Sequence, residues 1–139
     1  MKSKSLKTPL RYPGGKSRAC TKMGEYFPNF DEYTEFREPF LGGGSVALYI
    51  TRMYPHLKIW VNDLYEPLYN FWLHLQKDGY SLYNDIKTLK HSYPNQETAK
   101  ELFLESKKIV NDLTKSDNDR AVAFYIVNKC SFSGLTESS

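Results

Sequence analysis

The spacing of apolar residues changes once along this chain, near residue 65, and the change predicts two kinds of architecture. Before it, apolar positions come in short runs bounded by glycine and proline. Tyr33 to Phe40 reads as a strand feeding Leu41-Gly42-Gly43-Gly44, and Ser45-Val46-Ala47-Leu48-Tyr49-Ile50 continues as an apolar helix that ends at Pro55. Leu57-Lys58-Ile59-Trp60-Val61 is β-branched and aromatic and reads as a second, parallel strand, with Asn62-Asp63 at its finish. Strand, glycine turn and helix are the opening of a βαβ unit. From Glu66 onward Leu68, Phe71, Trp72 and Leu75 recur at helical spacing, and further helices are predicted near 80–91, 96–114 and 118–130. No third strand, internal repeat or Gly/Ser linker is recognisable.

Ahead of the first strand, Arg11-Tyr12-Pro13-Gly14-Gly15-Lys16 reads as a turn, because proline fixes φ and glycine admits backbone shapes closed to other residues. A helix is predicted to follow, capped by Ser17, with Ala19, Met23 and Tyr26 or Phe27 on its inner face and Pro28-Asn29 at its end.

Composition narrows the class. With 139 residues, 40% hydrophobic and 25% charged, the chain has the balance of a globular domain. No apolar run approaches the roughly 18 residues needed to span a bilayer, so a membrane-embedded protein is not expected. The N-terminus lacks the apolar core of a signal peptide, and export is not expected either. The two cysteines, Cys20 and Cys130, lie outside any metal-ligand spacing and are expected to be buried free thiols, with no metal site. Net charge is +3, but residues 1–30 hold seven Lys/Arg against the single acid Glu25, while the remainder is net negative. The basic charge is therefore an N-terminal feature that could neutralise phosphates or be a solvated tail.

The strongest chemical signal is Glu38-Pro39-Phe40-Leu41-Gly42-Gly43-Gly44 followed, nineteen residues after Gly44, by Asp63. Nucleotide-type folds place a glycine turn where backbone must approach a ligand, and an acid at the end of the next strand to accept ribose hydroxyl hydrogen bonds. The GxGxxG pattern is not met, so a dinucleotide site is weakly supported, while a site for an adenosine moiety without pyrophosphate stays open. Gly15-Lys16-Ser17 is not a P-loop, since Leu10 stands where the earlier glycine is required. In the Tyr12 to Lys16 turn, an aromatic face could pack on a ligand and an ammonium could meet a carboxylate or phosphate.

Four segments in this order carry a resemblance: Tyr12 to Lys16, Arg37 to Val46, Val61-Asn62-Asp63-Leu64, and Asn128-Lys129-Cys130-Ser131-Phe132-Ser133-Gly134-Leu135. The chain resembles the Dam-type (D12 class) DNA adenine-N6 methyltransferases from about residue 8 to its last residue. The resemblance implies an α/β, class I S-adenosylmethionine-dependent methyltransferase (Rossmann-like) fold, incomplete in this chain, with a helical target-recognition insertion. Residues 1–64 would be the N-terminal part of the catalytic domain, and residues 65–139 a DNA-binding, target-recognition domain incomplete at its C-terminus. It further implies S-adenosyl-L-methionine as cofactor, bound by Tyr12, Gly14, Lys16, Glu38, Phe40, Gly42, Gly44 and Asp63. In that assignment Tyr12 lies near the adenosyl or methionyl portion, Lys16 near the carboxylate and Asp63 at the ribose. Duplex DNA is the implied partner, met by Arg11, Lys129, Phe132 and Ser133, with Phe132 as an aromatic wedge for the gap left by an extruded base. No metal is implied, and the implied setting is the cytoplasm of a bacterial cell or phage-infected host.

The chain departs from the family pattern in two places. Thr136-Glu137-Ser138-Ser139 stands where several relatives carry basic or amide residues. No Asp-Pro-Pro-Tyr motif, which positions the adenine amino group in the family, occurs, and none of the seven prolines adjoins another. The expectation is an N-terminal fragment of a longer methyltransferase, inactive alone and partnered by its missing C-terminal half. A noncatalytic cofactor- or nucleic-acid-binding remnant is the alternative.

Overall fold

A computed structural model describes residues 6–131. The chain divides into two compact units, Met1–Leu64 and Tyr65–Ser139, each with its own packing.

The first unit is built around a parallel pair of strands. The strand β1 (Glu35–Glu38) runs into the glycine loop, the helix α2 (Ser45–Met53) crosses back, and β2 (Lys58–Val61) pairs with β1 in parallel register, Glu35 opposite Lys58 and Glu38 opposite Val61; a short helix α1 (Cys20–Gly24) precedes them. Backbone pairing continues past the strands, from the Asn62 N–H to the Glu38 carbonyl and from the Leu41 N–H to the Asn62 carbonyl, both 2.9 Å. The loop after each strand is thereby tied to the other. Leu10, Cys20, Leu41, Ala47, Ile50 and Leu57 are buried beneath this layer. The segment between α1 and β1 is held by aromatic contacts, the Phe30 ring lying 5.2 Å from Tyr54 and 6.0 Å from Phe36 between centroids. The expected β-α-β succession is present with shorter strands.

The predicted turn forms, the Gly15 N–H donating to the Tyr12 carbonyl at 2.9 Å with Gly14 at φ 68°, a value that suits glycine. The helix after it differs from expectation. It begins at Cys20 behind Ala19, Ala19 and Tyr26 are exposed, and Ser17 does not cap it. The Ser17 hydroxyl is instead 2.8 Å from that of Ser45 at the head of α2, a partner twenty-eight positions away.

The second unit is helical: α3 (Glu66–Ser92), α4 (Gln96–Val110) and α5 (Asp117–Cys130). Pro67 opens α3, where a missing N–H costs nothing. Asn95 and Thr98 form a reciprocal cap on α4, and the Ser116 side chain accepts the Asp119 N–H to start α5. The helix α5 packs against both α3 and α4, and nearly every residue from Arg120 to Asn128 is buried. Its Phe124 ring lies 5.6 Å from Phe71 of α3. Arg120 is 4% exposed, pairs with Glu66 and Asp117, and donates from Nε to the Val110 carbonyl at 3.2 Å.

The helices expected on either side of residue 78 are present as two stretches of α3 that meet at a kink at Asp78 (φ −153°, ψ 72°), whose carboxylate accepts the Ser81 N–H and so caps the second stretch. Two expectations are corrected in this unit. The helix expected to reach residue 114 stops at Val110, and Asp112 then accepts hydrogen bonds from the Thr114 N–H and hydroxyl, which hold its carboxyl below its ordinary range. Cys20 is buried as expected, but Cys130 is exposed, because it lies past the buried run at the C-terminal end of α5. Among the described residues, no helix is long and apolar enough to cross a membrane.

Candidate functional site

In a parallel β-α-β unit the loops following both strands emerge at the same edge, so topology alone brings the glycine loop beside Asn62-Asp63. The contact is direct, since Asp63 Oδ2 accepts the Gly42 N–H at 2.8 Å. Gly42 has φ +52°, and a Cβ added there would lie 2.9 Å from the Tyr12 ring; one added to Gly43 would lie 2.8 Å from Tyr12 Cβ. Tyr12 thus packs directly on bare glycine backbone.

These elements enclose a hollow of about 330 Å³, within the range of small-molecule sites. Of the residues expected at a cofactor site, Tyr12, Gly14, Lys16, Glu38, Phe40, Gly42 and Asp63 all line it. Phe40 is 86% exposed, an apolar ring standing at the mouth. Gly44 is not a wall residue; it caps α2, its carbonyl accepting the Leu48 N–H. Ser45 and Val46 also line the hollow; they belong to the Arg37 to Val46 segment that carries the resemblance but were not among the expected site residues.

Glu38 gives the hollow its electrostatic character. Burial pushes its carboxyl above the ordinary value, opposed by a hydrogen bond from the Ala47 backbone and by the Lys16 charge. Its Oε2 is buried without a hydrogen-bond partner. Such an oxygen costs free energy until a donor reaches it, and a cationic or N–H-bearing ligand would supply one. Nearby, burial and Glu38 both raise the Cys20 thiol, so it stays protonated.

Of the residues expected to contact DNA, the two that are described, Arg11 and Lys129, belong to different units. Arg11 lines a hollow adjoining this one. Lys129 belongs to α5 of the helical unit, its ammonium 5.4 Å from the Tyr125 ring centroid. Phe132 and Ser133 lie outside the described residues. A larger hollow of about 640 Å³ lies within the helical unit, with Leu102, Ile109 and Val122 among its walls and Asp85 paired to Asn118 at 3.0 Å. It has no glycine backbone and no unpartnered buried carboxylate, so size alone does not make it the chemical site.

Two loops at one edge of a parallel pair, one glycine-rich and one acid-bearing, are the arrangement by which α/β folds bind nucleotide-type ligands. Residues 12–139 match the D12 class N6 adenine-specific DNA methyltransferase family, and the chain belongs to that family. It is 27% identical over 143 aligned residues to a protein named Type II methyltransferase M.MjaIII from Methanocaldococcus jannaschii, covering 94% of this chain and 47% of that protein. It is 31% identical over 130 residues to a protein named DNA N-6-adenine-methyltransferase from Escherichia phage P1, covering 91% of this chain and 15% of that protein. The chain spans less than half the length of either relative.

A methyltransferase family implies a methyl donor, and the hollow fits one. The partnerless Glu38 oxygen calls for a donor group, and the glycine loop leaves room that side chains would fill.

Proposed function

We propose that this chain is the donor-binding part of a DNA adenine-N6 methyltransferase that takes its methyl group from S-adenosyl-L-methionine. The observation that carries the reading is the hollow in which Tyr12, Lys16, Glu38, Phe40, Gly42 and Asp63 converge around a buried, partnerless carboxylate oxygen. In this reading β1, α2 and β2 are the first crossover of a Rossmann-like sheet that is incomplete in this chain. The helical unit is the beginning of a target-recognition domain for duplex DNA.

The roles follow from charge and hydrogen-bonding capacity. Asp63 accepts hydrogen bonds from the ribose hydroxyls while holding the glycine loop through Gly42. Glu38 meets the α-ammonium, which satisfies its buried oxygen and favours its ionised form. Lys16 meets the carboxylate, and the rings of Tyr12 and Phe40 pack on the adenosyl portion. When bound, S-adenosylmethionine supplies a methyl group made electrophilic by its sulfonium sulfur. Orientation by these groups is what the chain contributes to transfer. The sequence contains no Asp-Pro-Pro-Tyr motif to position the adenine amino group, so the chain by itself binds the donor without methylating DNA.

Calorimetric titration with S-adenosylmethionine, NAD and ATP tests the reading. Binding of the first alone is expected, and Asp63→Ala should abolish it while circular dichroism stays unchanged. No binding by the wild-type chain, or undiminished binding by a folded Asp63→Ala variant, would sink the assignment.

A further inference from the structure

Two hollows share residues of the Tyr12 to Gly15 turn, and they differ in charge. The donor site carries the carboxylates of Glu38 and Asp63 against the single ammonium of Lys16. The second, of about 560 Å³, shares Tyr12, Gly14, Gly15 and Ser45 with the first but is otherwise lined by Thr8, Leu10, Arg11, Ser17 and Arg18, with no carboxylate among the described residues of its wall. Two guanidinium-bearing residues and the hydroxyl-bearing Thr8, Tyr12, Ser17 and Ser45 therefore line a space to which none of the described residues contributes an acid. Such a space favours an anion and disfavours the sulfonium and ammonium of the donor.

The hydroxyls sharpen the choice. Ser17 Oγ and Ser45 Oγ are 2.8 Å apart, and either can be the donor. One of their two protons is used in that contact, so the other remains able to donate to an acceptor. Thr8 Oγ1 accepts the Leu10 N–H at 3.2 Å, which leaves the Thr8 hydroxyl proton for a ligand as well. Forked guanidinium donors beside small hydroxyl donors form the donor set that phosphodiester oxygens take up on nucleic-acid-binding surfaces. The first thirty residues, with seven Lys/Arg against the single acid Glu25, add attraction of the same sign.

We infer that this second hollow, formed by Arg11, Arg18, Thr8, Ser17 and Ser45, holds a backbone phosphate of the DNA substrate beside the methyl-donor site. The inference rests on the proposed methyltransferase reading and adds a phosphate subsite to it. Because both hollows share the Tyr12 turn, a phosphate held here would fix the strand relative to the donor without contacting a base. Arg18 is then a positioning residue that contributes affinity and no sequence preference.

Fluorescence anisotropy of a labelled duplex oligonucleotide, titrated with the full chain over a series of salt concentrations, tests the inference. Arg18→Gln is expected to weaken binding at every salt concentration and to lower the slope of log K against log salt by about 0.9, the change for one lost phosphate contact. Arg18→Lys should retain most of the slope with lower affinity, since it keeps the charge and loses the fork. Arg52→Gln, an exposed arginine near Tyr49 and outside the hollow, should leave both unchanged. Calorimetric affinity for S-adenosylmethionine should be the same in all variants. An unaltered slope in Arg18→Gln, an equal loss in Arg52→Gln, or no duplex binding by the wild-type chain would overturn the inference. Intact S-adenosylmethionine binding in any of those cases would leave the donor-site reading standing, whereas loss of donor binding by the wild-type chain would overturn that reading instead.

Discussion

Gly42→Ala separates two costs that the structure assigns to different causes. At φ +52° an L side chain pays left-handed strain of roughly 1–2 kcal/mol. The added methyl would also lie 2.9, 3.1 and 3.4 Å from three atoms of the Tyr12 ring. Overpacking costs about 1–3 kcal/mol in general, but this ring is half exposed and can swing outward, which places the second cost near the lower end. The expected destabilisation of the N-terminal unit is therefore about 2–3 kcal/mol, and in a Tyr12→Ala background only the strain of roughly 1–2 kcal/mol should remain. Gly43→Ala is the internal control. Its methyl would meet Tyr12 Cβ at 2.8 Å, an atom that alanine retains, so Tyr12→Ala should not relieve it. Urea denaturation followed by Trp60 fluorescence in a Trp72→Phe background reads the β2 region alone. Equal destabilisation by Gly42→Ala with and without the Tyr12 ring would refute the packing of Tyr12 on the glycine loop.

The remaining predictions concern three buried groups. Arg120→Ala removes a guanidinium that joins Glu66, Asp117 and the Val110 carbonyl; it should cost the helical unit about 2–4 kcal/mol, measured by urea denaturation through Trp72. Glu66→Gln should cost less than about 1 kcal/mol, because Glu66 is 53% exposed and its charge is screened; a larger loss from Glu66→Gln than from Arg120→Ala would contradict this account. Burial raises the Glu38 carboxyl above its ordinary value of 4.5, so the folded state holds that proton more tightly than the unfolded one. Its contribution to stability is then fully present below about pH 4.5 and lost as pH rises through the raised value, with Lys16 opposing; Glu38→Gln should flatten that part of the pH–stability curve, and an identical slope would count against it. Iodoacetamide at neutral pH should label Cys130 in the native protein and Cys20 only on unfolding, and rapid native labelling of Cys20 would contradict its burial.

What could be read from the sequence was what local chemistry determines. Glycine and proline mark the β-α-β boundaries, and the runs Tyr33 to Phe40 and Leu57 to Val61 pair in parallel as their composition suggests. Helical spacing located α4 and α5 to within a few residues. The misreadings trace to partners distant in sequence. Ser17 has the composition of a helix cap, but Ser45 takes its hydroxyl, and the helix begins later without it. Arg120 drew no notice in the sequence beyond a place in an expected helix, yet residues 66, 110 and 117 supply its partners and bury it. Spacing along one helix holds no record of such partners. Asp78 is the opposite case: the break was visible as two separate helical patterns, and the cap that makes it, to the Ser81 N–H, is local.

The candidate site was more legible than its mutual contacts, and topology explains why. Tyr12, Glu38, Gly42 and Asp63 came from three separate motifs, singled out by their chemistry and assigned to one site by the family resemblance. A parallel crossover places the ends of both strands at one edge, so a glycine loop after β1 and an acid after β2 must become neighbours whatever lies between them. Spacing could not show that Asp63 would hold the glycine loop itself, through the Gly42 N–H, as well as face the hollow. That bond couples ligand affinity to loop shape. Asp63→Asn keeps the size of the side chain and an oxygen that can accept from Gly42, whereas Asp63→Ala removes both. A larger loss of donor binding in the alanine variant than in the asparagine one would measure what an accepting oxygen at position 63 contributes, the Gly42 bond included, separately from the carboxylate charge.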